Sequence, residues 1–289
     1  MKPITITDVR AVAGDGAFLL DDGKTAVLYD TGFAFNGHRI AENIKNALGS
    51  RPLDYILLTH SHYDHVLAAP YITKVYPNAK IIAGEYAAQI FQKPSAKALM
   101  RELDRKAAAE YAAPDYEDLI DQLKVDITVK DGDSFRCGDF LFTAIALPGH
   151  TKCSFGFYLG EQKLLLGSET LGGYFGFGTY LPLFLVGYQL TLDSFAKAKQ
   201  LEIEKILLPH YGVVEREEAE GYLENSEVTT REIAQTVLAM LKDGKTKDEI
   251  LAFFEERDYR ENVRPAYPIG AFRLNTSIMI EQIRKELLQ

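Results

Sequence analysis

The sequence predicts an α/β fold of two β-sheets with helices between and outside them, continued by a helical C-terminal extension. Three observations carry this. Short apolar or alternating runs gather in two stretches, one ending near Ala83 and the other running from Val125 to Leu166, as two separate sheets require. Helical spacing of apolar residues lies between and after these stretches. The 289 residues are 47% hydrophobic, ample for a packed core.

Taken in order, runs at 4–11, 17–20 and 25–29, punctuated by Gly14, Gly16 and Gly23, read as a meander of short strands that opens an antiparallel sheet. From Asn36 the spacing turns helical. Ile40, Ile44 and Leu48 share one face, with Asn36 as N-cap and Gly49 as C-cap. A strand over 53–58 leads into a histidine-rich turn, a helix over about 66–75 follows, and 80–83 is another strand. Residues 85–113, rich in Ala, Lys, Glu and Arg, read as a partly exposed helical insertion interrupted at Pro94. The second strand-rich stretch covers 127–129, 140–146, 155–159 and 164–166, with Val125 and Phe135 beside them. Residues 172–185 mix Gly, Tyr, Phe and Leu without a period and read as a loop with apolar tips. A helix at 192–201, a strand at 206–208 and helices at about 216–242, 247–256 and 271–288 complete the chain. No Pro/Ser-rich linker, low-complexity tract or repeat of about 20–50 residues divides it, so it reads as one domain.

Charge narrows the partners. With 32 Lys+Arg against 41 Asp+Glu the net charge is −9, which argues against a general nucleic-acid surface or an anionic-membrane footprint. The opening Met1-Lys2-Pro3-Ile4-Thr5-Ile6-Thr7 has no apolar leader region, and no run of about 18 apolar residues follows. A cytoplasmic location with no membrane partner is the expectation. Two cysteines, Cys137 and Cys153, cannot make a disulfide framework and read as reduced thiols.

Chemistry concentrates in Thr59-His60-Ser61-His62-Tyr63-Asp64-His65, which follows the apolar run Leu53-Asp54-Tyr55-Ile56-Leu57-Leu58 and uses three of the chain's six histidines. Neutral imidazoles and a carboxylate behind a buried strand suit a divalent metal. Because the cluster contains no cysteine, an open site with bound water fits better than a closed structural one. Leu147-Pro148-Gly149-His150-Thr151 and Leu207-Leu208-Pro209-His210-Tyr211-Gly212 repeat the arrangement, each setting a histidine in a Pro/Gly turn after an apolar strand. Five of six histidines at strand-to-loop junctions do not fit independent placement. His38 matches no ligand motif and reads as a surface residue. Cys153 reads as a small buried residue despite its nearness to His150. Tyr63 suits either a pocket wall or simple packing.

These motifs, together with Tyr29-Asp30-Thr31-Gly32, resemble those of the metallo-β-lactamase fold superfamily over about residues 4–215. The resemblance implies a four-layer αββα sandwich with two metals at one edge of the sheets. It implies that His60, His62 and His150 hold the first metal and that Asp64, His65 and His210 hold the second. Asp30 then accepts a hydrogen bond from a ligand or fixes the loop that carries the ligands, and an Asx turn is compatible with both. The family's bridging carboxylate is normally an aspartate, whereas Leu164-Leu165-Leu166-Gly167-Ser168-Glu169-Thr170-Leu171-Gly172 offers Ser168 or Glu169. Aligning Thr170-Leu171-Gly172 with the family's small-apolar-Gly selects Glu169, one methylene longer, and leaves one metal or two open. Residues 1–215 are then the metal-binding core and 216–289 a helical extension or cap packed on the same domain.

What the resemblance implies is a metal-dependent hydrolase with two divalent ions, zinc first and iron or manganese also compatible. A metal-bound hydroxide would attack a small ester or thioester, with Asp64 orienting it and carrying a proton. The helical extension is similar to that of glyoxalase-II-like hydrolases. The run Tyr267-Pro268-Ile269-Gly270-Ala271-Phe272-Arg273-Leu274-Asn275 most resembles the branch of the bacterial quinolone-signal response thioesterase. By that likeness Tyr267, Phe272 and Arg273 would close a substrate pocket with Tyr63, Tyr174, Phe175 and Phe177. A small molecule is the expected partner, and the apolar loop at 172–185 suits a pocket wall or a homodimer contact alike. Two other classes stay open. One is a diiron oxygen- or nitric-oxide-reducing redox protein without its flavin domain, although His62 stands where that branch carries a glutamate. The other is a metal-bound sensor or interaction protein.

Overall fold

Strand alternation sorts the apolar side chains onto two faces, and this builds the layers. The computed structural model describes residues 4–288, with the backbone alone at 217 and 220. Met1, Lys2 and Pro3, read above for a leader, lie outside the described residues. The first sheet runs in sequence order through β1 (Thr5–Asp8), β2 (Phe18–Asp21), β3 (Ala26–Tyr29), β4 (Tyr55–Leu58), β5 (Lys80–Gly84) and β6 (Ile127–Val129). Its first three strands are antiparallel and β3 to β6 are parallel. After β7 (Ser134–Cys137), β8 (Phe140–Ala146), β9 (Phe155–Leu159) and β10 (Leu164–Leu166) comes a small hairpin, β11 (Gly173–Tyr174) with β12 (Tyr180–Leu181). With β13 (Lys205–Leu208) and β14 (Gly212–Glu215), the second sheet has the order β14-β13-β10-β9-β8-β7.

Phe18, Leu20, Val27, Tyr29, Leu57 and Ile82 point from the first sheet toward Phe142, Phe157, Leu164, Leu166 and Leu207 of the second, forming the inter-sheet core. The alternate residues, among them Leu19, Leu28, Ile56, Leu58 and Ile81, face helices. Those helices include α1 (Gly37–Leu48), the single turn α2 (Tyr63–Val66) and α3 (Ala69–Val75). Next come α4 (Glu85–Ile90) and α5 (Pro94–Glu110). On the far side, α6 (Tyr188–Ala198) and α7 (Arg216–Lys242) cover the second sheet through Phe195, Ala198, Ala219 and Tyr222. The result is helix, sheet, sheet, helix. With α8 (Lys247–Asp258) and α9 (Ile269–Leu287), the later part of α7 builds a further cluster around Ile233, Val237, Phe254 and Ile280, packed on Phe184, Tyr188 and Leu192. Among the described residues, no helix is long and apolar enough to cross a membrane.

Several expectations need correction. Asn36 precedes α1 but makes no side-chain cap; its amide donates to the buried carboxylate of Asp15 at 3.0 and 3.1 Å. The helix expected over 66–75 is broken at Leu67-Ala68, which leaves α2 as a separate ligand-bearing turn. Residues 172–185 contain the β11–β12 hairpin, and β14 was not legible because Gly-Val-Val-Glu becomes a strand only by pairing with β13. Pro94 starts α5 in the first turn, where its missing N–H costs nothing.

Asp104 is nearly fully buried on α5 and accepts hydrogen bonds from the Ala34 N–H at 3.0 Å and the Tyr116 hydroxyl at 2.5 Å. Burial outweighs both, and pushes its carboxyl from an ordinary 3.8 up to about 7. Between those values the folded state keeps a proton that the unfolded chain has lost, so stability falls as pH rises through this window, by about 1.4 kcal/mol per pH unit. Asp104→Asn, which mimics the protonated side chain, is expected to remove that slope. Urea unfolding of both proteins between pH 4 and 8 checks this. Parallel stability curves across the window would refute it.

Candidate metal centre

Four connections deliver the candidate ligands to one edge of the sheets. His60 and His62 follow β4, Asp64 and His65 ride on α2, His150 sits between β8 and β9, Glu169 follows β10, and His210 joins β13 to β14. Ligand atoms of His60, His62, His150 and Glu169 lie within 4.8 Å of one another, and those of Asp64, His65 and His210 do so likewise. Glu169 links the two groups. Its Oε2 is 2.8 Å from His150 Nε2, 3.2 Å from His60 Nε2 and 3.3 Å from His65 Nε2, while Oε1 is 3.3 Å from His210 Nε2. Ser168, the rival position, is buried and accepts from the Thr170 N–H, capping the turn that presents Glu169. The Tyr29 hydroxyl donates to the Gly167 carbonyl and ties this turn to the first sheet.

Hydrogen bonds on the far ring nitrogens set the tautomers. Asp30 Oδ1 accepts from the Thr59 N–H, and its Oδ2 accepts from the Thr59 hydroxyl and from His65 Nδ1, all at 2.8 Å. The Thr59 hydroxyl, having donated to Asp30, can only accept from His60 Nδ1 at 2.9 Å. His150 Nδ1 donates to the Leu183 carbonyl at 2.7 Å. Three imidazoles therefore carry their protons away from the cluster and turn Nε2 lone pairs toward it. His62 presents Nδ1, 2.9 Å from His150 Nε2. Asp30 holds a left-handed backbone, φ 54°, to reach both loops. Gly149 also has a positive φ, and a Cβ there would lie 2.1 Å from Thr191 Oγ1, so glycine is required before His150.

This arrangement fits a cation. His60 Nε2 and His65 Nε2 are buried without any hydrogen-bond partner, yet each faces a carboxylate oxygen at 3.2–3.3 Å. Lone pair against carboxylate is repulsive unless positive charge sits between them. Burial and the neighbouring carboxylates pull the rings in opposite directions. Burial and neighbouring His65 hold His60 well below the ordinary imidazole range, and burial and His150 do so for His62. Burial opposes charge on His65, but Asp64 and Asp30 outweigh it and push that imidazole up. Burial works against ionised Glu169, which His150 and then His210 and His60 nevertheless draw well down. Burial leads in pushing the Asp64 carboxyl up.

The cluster opens into a cavity of about 570 Å³ whose lining includes His62, Asp64, His150, Glu169 and His210 together with Tyr63, Tyr174, Phe175 and Tyr267. Three residues expected in this wall are elsewhere. Phe272 is buried in a separate cluster with Leu181 and Val263, behind the cavity wall, and packs on Tyr267 with ring centroids 5.7 Å apart. Arg273 points outward and pairs with Glu255 at 2.7 Å. Both follow from α9, which sends Ala271, Leu274 and Asn275 to the cavity and the intervening pair away. Phe177 is also outside, fully exposed at the hairpin tip. His38 is exposed, and both cysteines are free and buried, with Cys153 Sγ near the Ser61 hydroxyl.

Other contributors had little sequence signal. Arg10 donates to the His210 carbonyl at 2.6 Å while pairing with Asp8, an anchor 200 residues distant in the chain. Thr59 stands inside the motif but has a role only once Asp30 is beside it. The cavity wall on α5, read above as an exposed insertion, could have been suspected from Leu99, Leu103 and Ala107 at four-residue spacing.

The family model described as the Metallo-beta-lactamase superfamily matches residues 17–210. The metallo-beta-lactamase fold-containing protein ST1585 of Sulfurisphaera tokodaii is 25% identical over 76% of this chain and 80% of its own length. Its crystal structure superposes with a TM-score of 0.59 at 18% identity, covering 93% of this chain and 92% of that one, a likeness of fold. Glyoxylase B2 of Dictyostelium discoideum is 29% identical over 71% of this chain and 63% of its own length. A hydroxyacylglutathione hydrolase of Brucella anthropi is 28% identical over 41% of this chain and 34% of its own length. The chain thus spans less than two thirds of these last two relatives.

Proposed function

The chain belongs to the metallo-β-lactamase superfamily and its relatives support a metal-dependent hydrolase; on that premise we propose a dinuclear enzyme that hydrolyses small esters or thioesters. The observation that carries this reading is the pair of ligand groups joined through Glu169 at the floor of a cavity. His60, His62 and His150 would hold one divalent ion and Asp64, His65 and His210 the other, with Glu169 reaching both. The imidazole and carboxylate donors suit zinc first, and iron or manganese as well. Such ions, when bound, supply a water of near-neutral pKa and polarise a carbonyl oxygen.

The remaining work falls to the chain's own side chains. Asp64, which lines the cavity beside the other candidate ligands, is placed to orient a bound water as well as hold metal, and to carry a proton to the leaving group. Tyr63, Tyr174, Phe175 and Tyr267 exclude water from one side of the substrate. Asn275 donates to the Tyr267 hydroxyl at 2.7 Å, which leaves the tyrosine proton available to a substrate oxygen. Residues 216–289 act as the cap over a core of 1–215. The test is metal analysis of protein purified without added metal, alongside turnover of p-nitrophenyl and thioester substrates. Two ions per chain are expected, with turnover lost on chelation and restored by zinc. Turnover that survives complete metal removal would sink the reading, and iron with a mixed-valence spectrum and no hydrolysis would replace it by the redox one.

A further inference from the structure

Two apolar stripes face each other across the mouth of the cavity. On α5 they are Leu99, Leu103 and Ala107, and on α9 Ala271, Leu274 and Ile278. Leu99 and Leu274 remain 55% and 45% exposed while lining this cavity. The core-facing side of α5 carries Met100, Asp104 and Ala108, with buried Ala107 at the border between the two sides. The two helices meet where the Gly270 N–H donates to Glu110, and beside that contact both line a volume typical of small-molecule sites.

The charges around this space restrict what can enter. Histidines aside, Lys106 is the one cationic side chain among the described residues lining it, and it is paired with Glu102 at 2.6 Å. Glu110, on the same wall, accepts from the Gly270 N–H at 3.2 Å. A glutathionyl group, with its two carboxylates, would meet one lysine here, already shared with Glu102.

We infer that the cavity binds the uncharged, apolar acyl chain of an ester or thioester, laid between α5 and α9 with its carbonyl carbon at the ligand cluster. The inference rests on the hydrolase reading and narrows its substrate class. From Leu99 to Ala107 the α5 stripe is about 12 Å long, which a medium-length acyl chain covers. A carrier such as a polar thiol would remain outside the cavity.

The experiment compares kcat/KM for p-nitrophenyl acetate, butyrate, octanoate and decanoate and for a hydroxyacyl-glutathione thioester. Calorimetric titration with decanoate is run in parallel on metal-loaded and chelator-treated protein. Wild type should favour the longer esters, bind decanoate and turn over the glutathione thioester poorly. In Leu99→Gln with Leu274→Gln, both exposed enough to tolerate the change, the decanoate-to-acetate ratio should fall by about tenfold or more, since each lost methylene contact in an apolar pocket carries such factors. Leu103→Asn serves as a second, independent probe. Turnover of the acetate ester with no gain along the series and no decanoate binding would overturn the acyl-chain inference and leave the hydrolase reading standing. Decanoate binding that the variants weaken, without turnover of any ester, would preserve the inference and overturn the reaction. Preference for the glutathione thioester over the octanoate and decanoate esters would also overturn the inference.

Discussion

Glu169→Ala is expected to cost the protein much of its bound metal and to lower turnover by more than about 100-fold, beyond the range of a residue that only orients a ligand. The reason is position. Glu169 lies within 3.3 Å of ring nitrogens of His60, His65, His150 and His210. No other carboxylate among the described residues touches both ligand groups in this way. Removing it would leave His60, His62 and His150 facing one another with no carboxylate in their ligand group. Glu169→Asp keeps the charge but withdraws it by a methylene, and should recover part of the metal content. Ser168→Ala removes only a weak cap of 3.4 Å to the Thr170 N–H, so it should leave metal content near wild type. Metal stoichiometry and steady-state kinetics on the three variants decide the matter. Intact metal and turnover in Glu169→Ala would transfer the bridging role elsewhere.

Asp30→Ala should produce the largest loss of stability together with a fall of about 10–100-fold in metal affinity, the usual consequence of losing the partner that orients a ligand. Asp30 is fully buried and accepts from the Thr59 N–H, the Thr59 hydroxyl and His65 Nδ1. Alanine would strand these donors, each at a cost of about 1–3 kcal/mol. It must also hold the left-handed backbone of residue 30, where φ is 54°, which adds roughly 1–2 kcal/mol. Urea unfolding of chelator-treated protein isolates the stability loss from metal binding, and competition with a chromogenic chelator reads the affinity. Asp30→Asn retains one acceptor oxygen and should fall between the two. A variant that kept wild-type stability but lost metal would show that Asp30 serves the ligands alone; one that kept both would remove it from the site.

Legibility differed from element to element for physical reasons. The meander of β1 to β3, helix α1 and the strand before His60 were readable because a few residues of alternation or helical spacing are enough to define them. The histidines at strand ends were readable because the chain has so few and repeats one context three times. Less was readable at 168–169, where two adjacent residues offered rival chemistries and only a turn of helix chose between them. The pocket was readable in part. Tyr63, Tyr174, Phe175 and Tyr267 line it, whereas Phe272 and Arg273 are carried to other faces by the rotation of α9. β14 and the Arg10 anchor escaped entirely, since a strand of four residues and a side-chain contact across 200 positions exist only once their partners are in place.

By itself, then, the sequence determined most of the strands and helices and the residue types able to bind metal, because periodicity and side-chain chemistry act over short stretches of chain. Tertiary structure alone decided that Glu169 reaches both ligand groups, that Asp30 and Thr59 orient the imidazoles, and that α5 and α9 line one apolar space. Each of these depends on the relative rotation and spacing of elements distant in the chain, which packing of the whole core sets and no local pattern encodes.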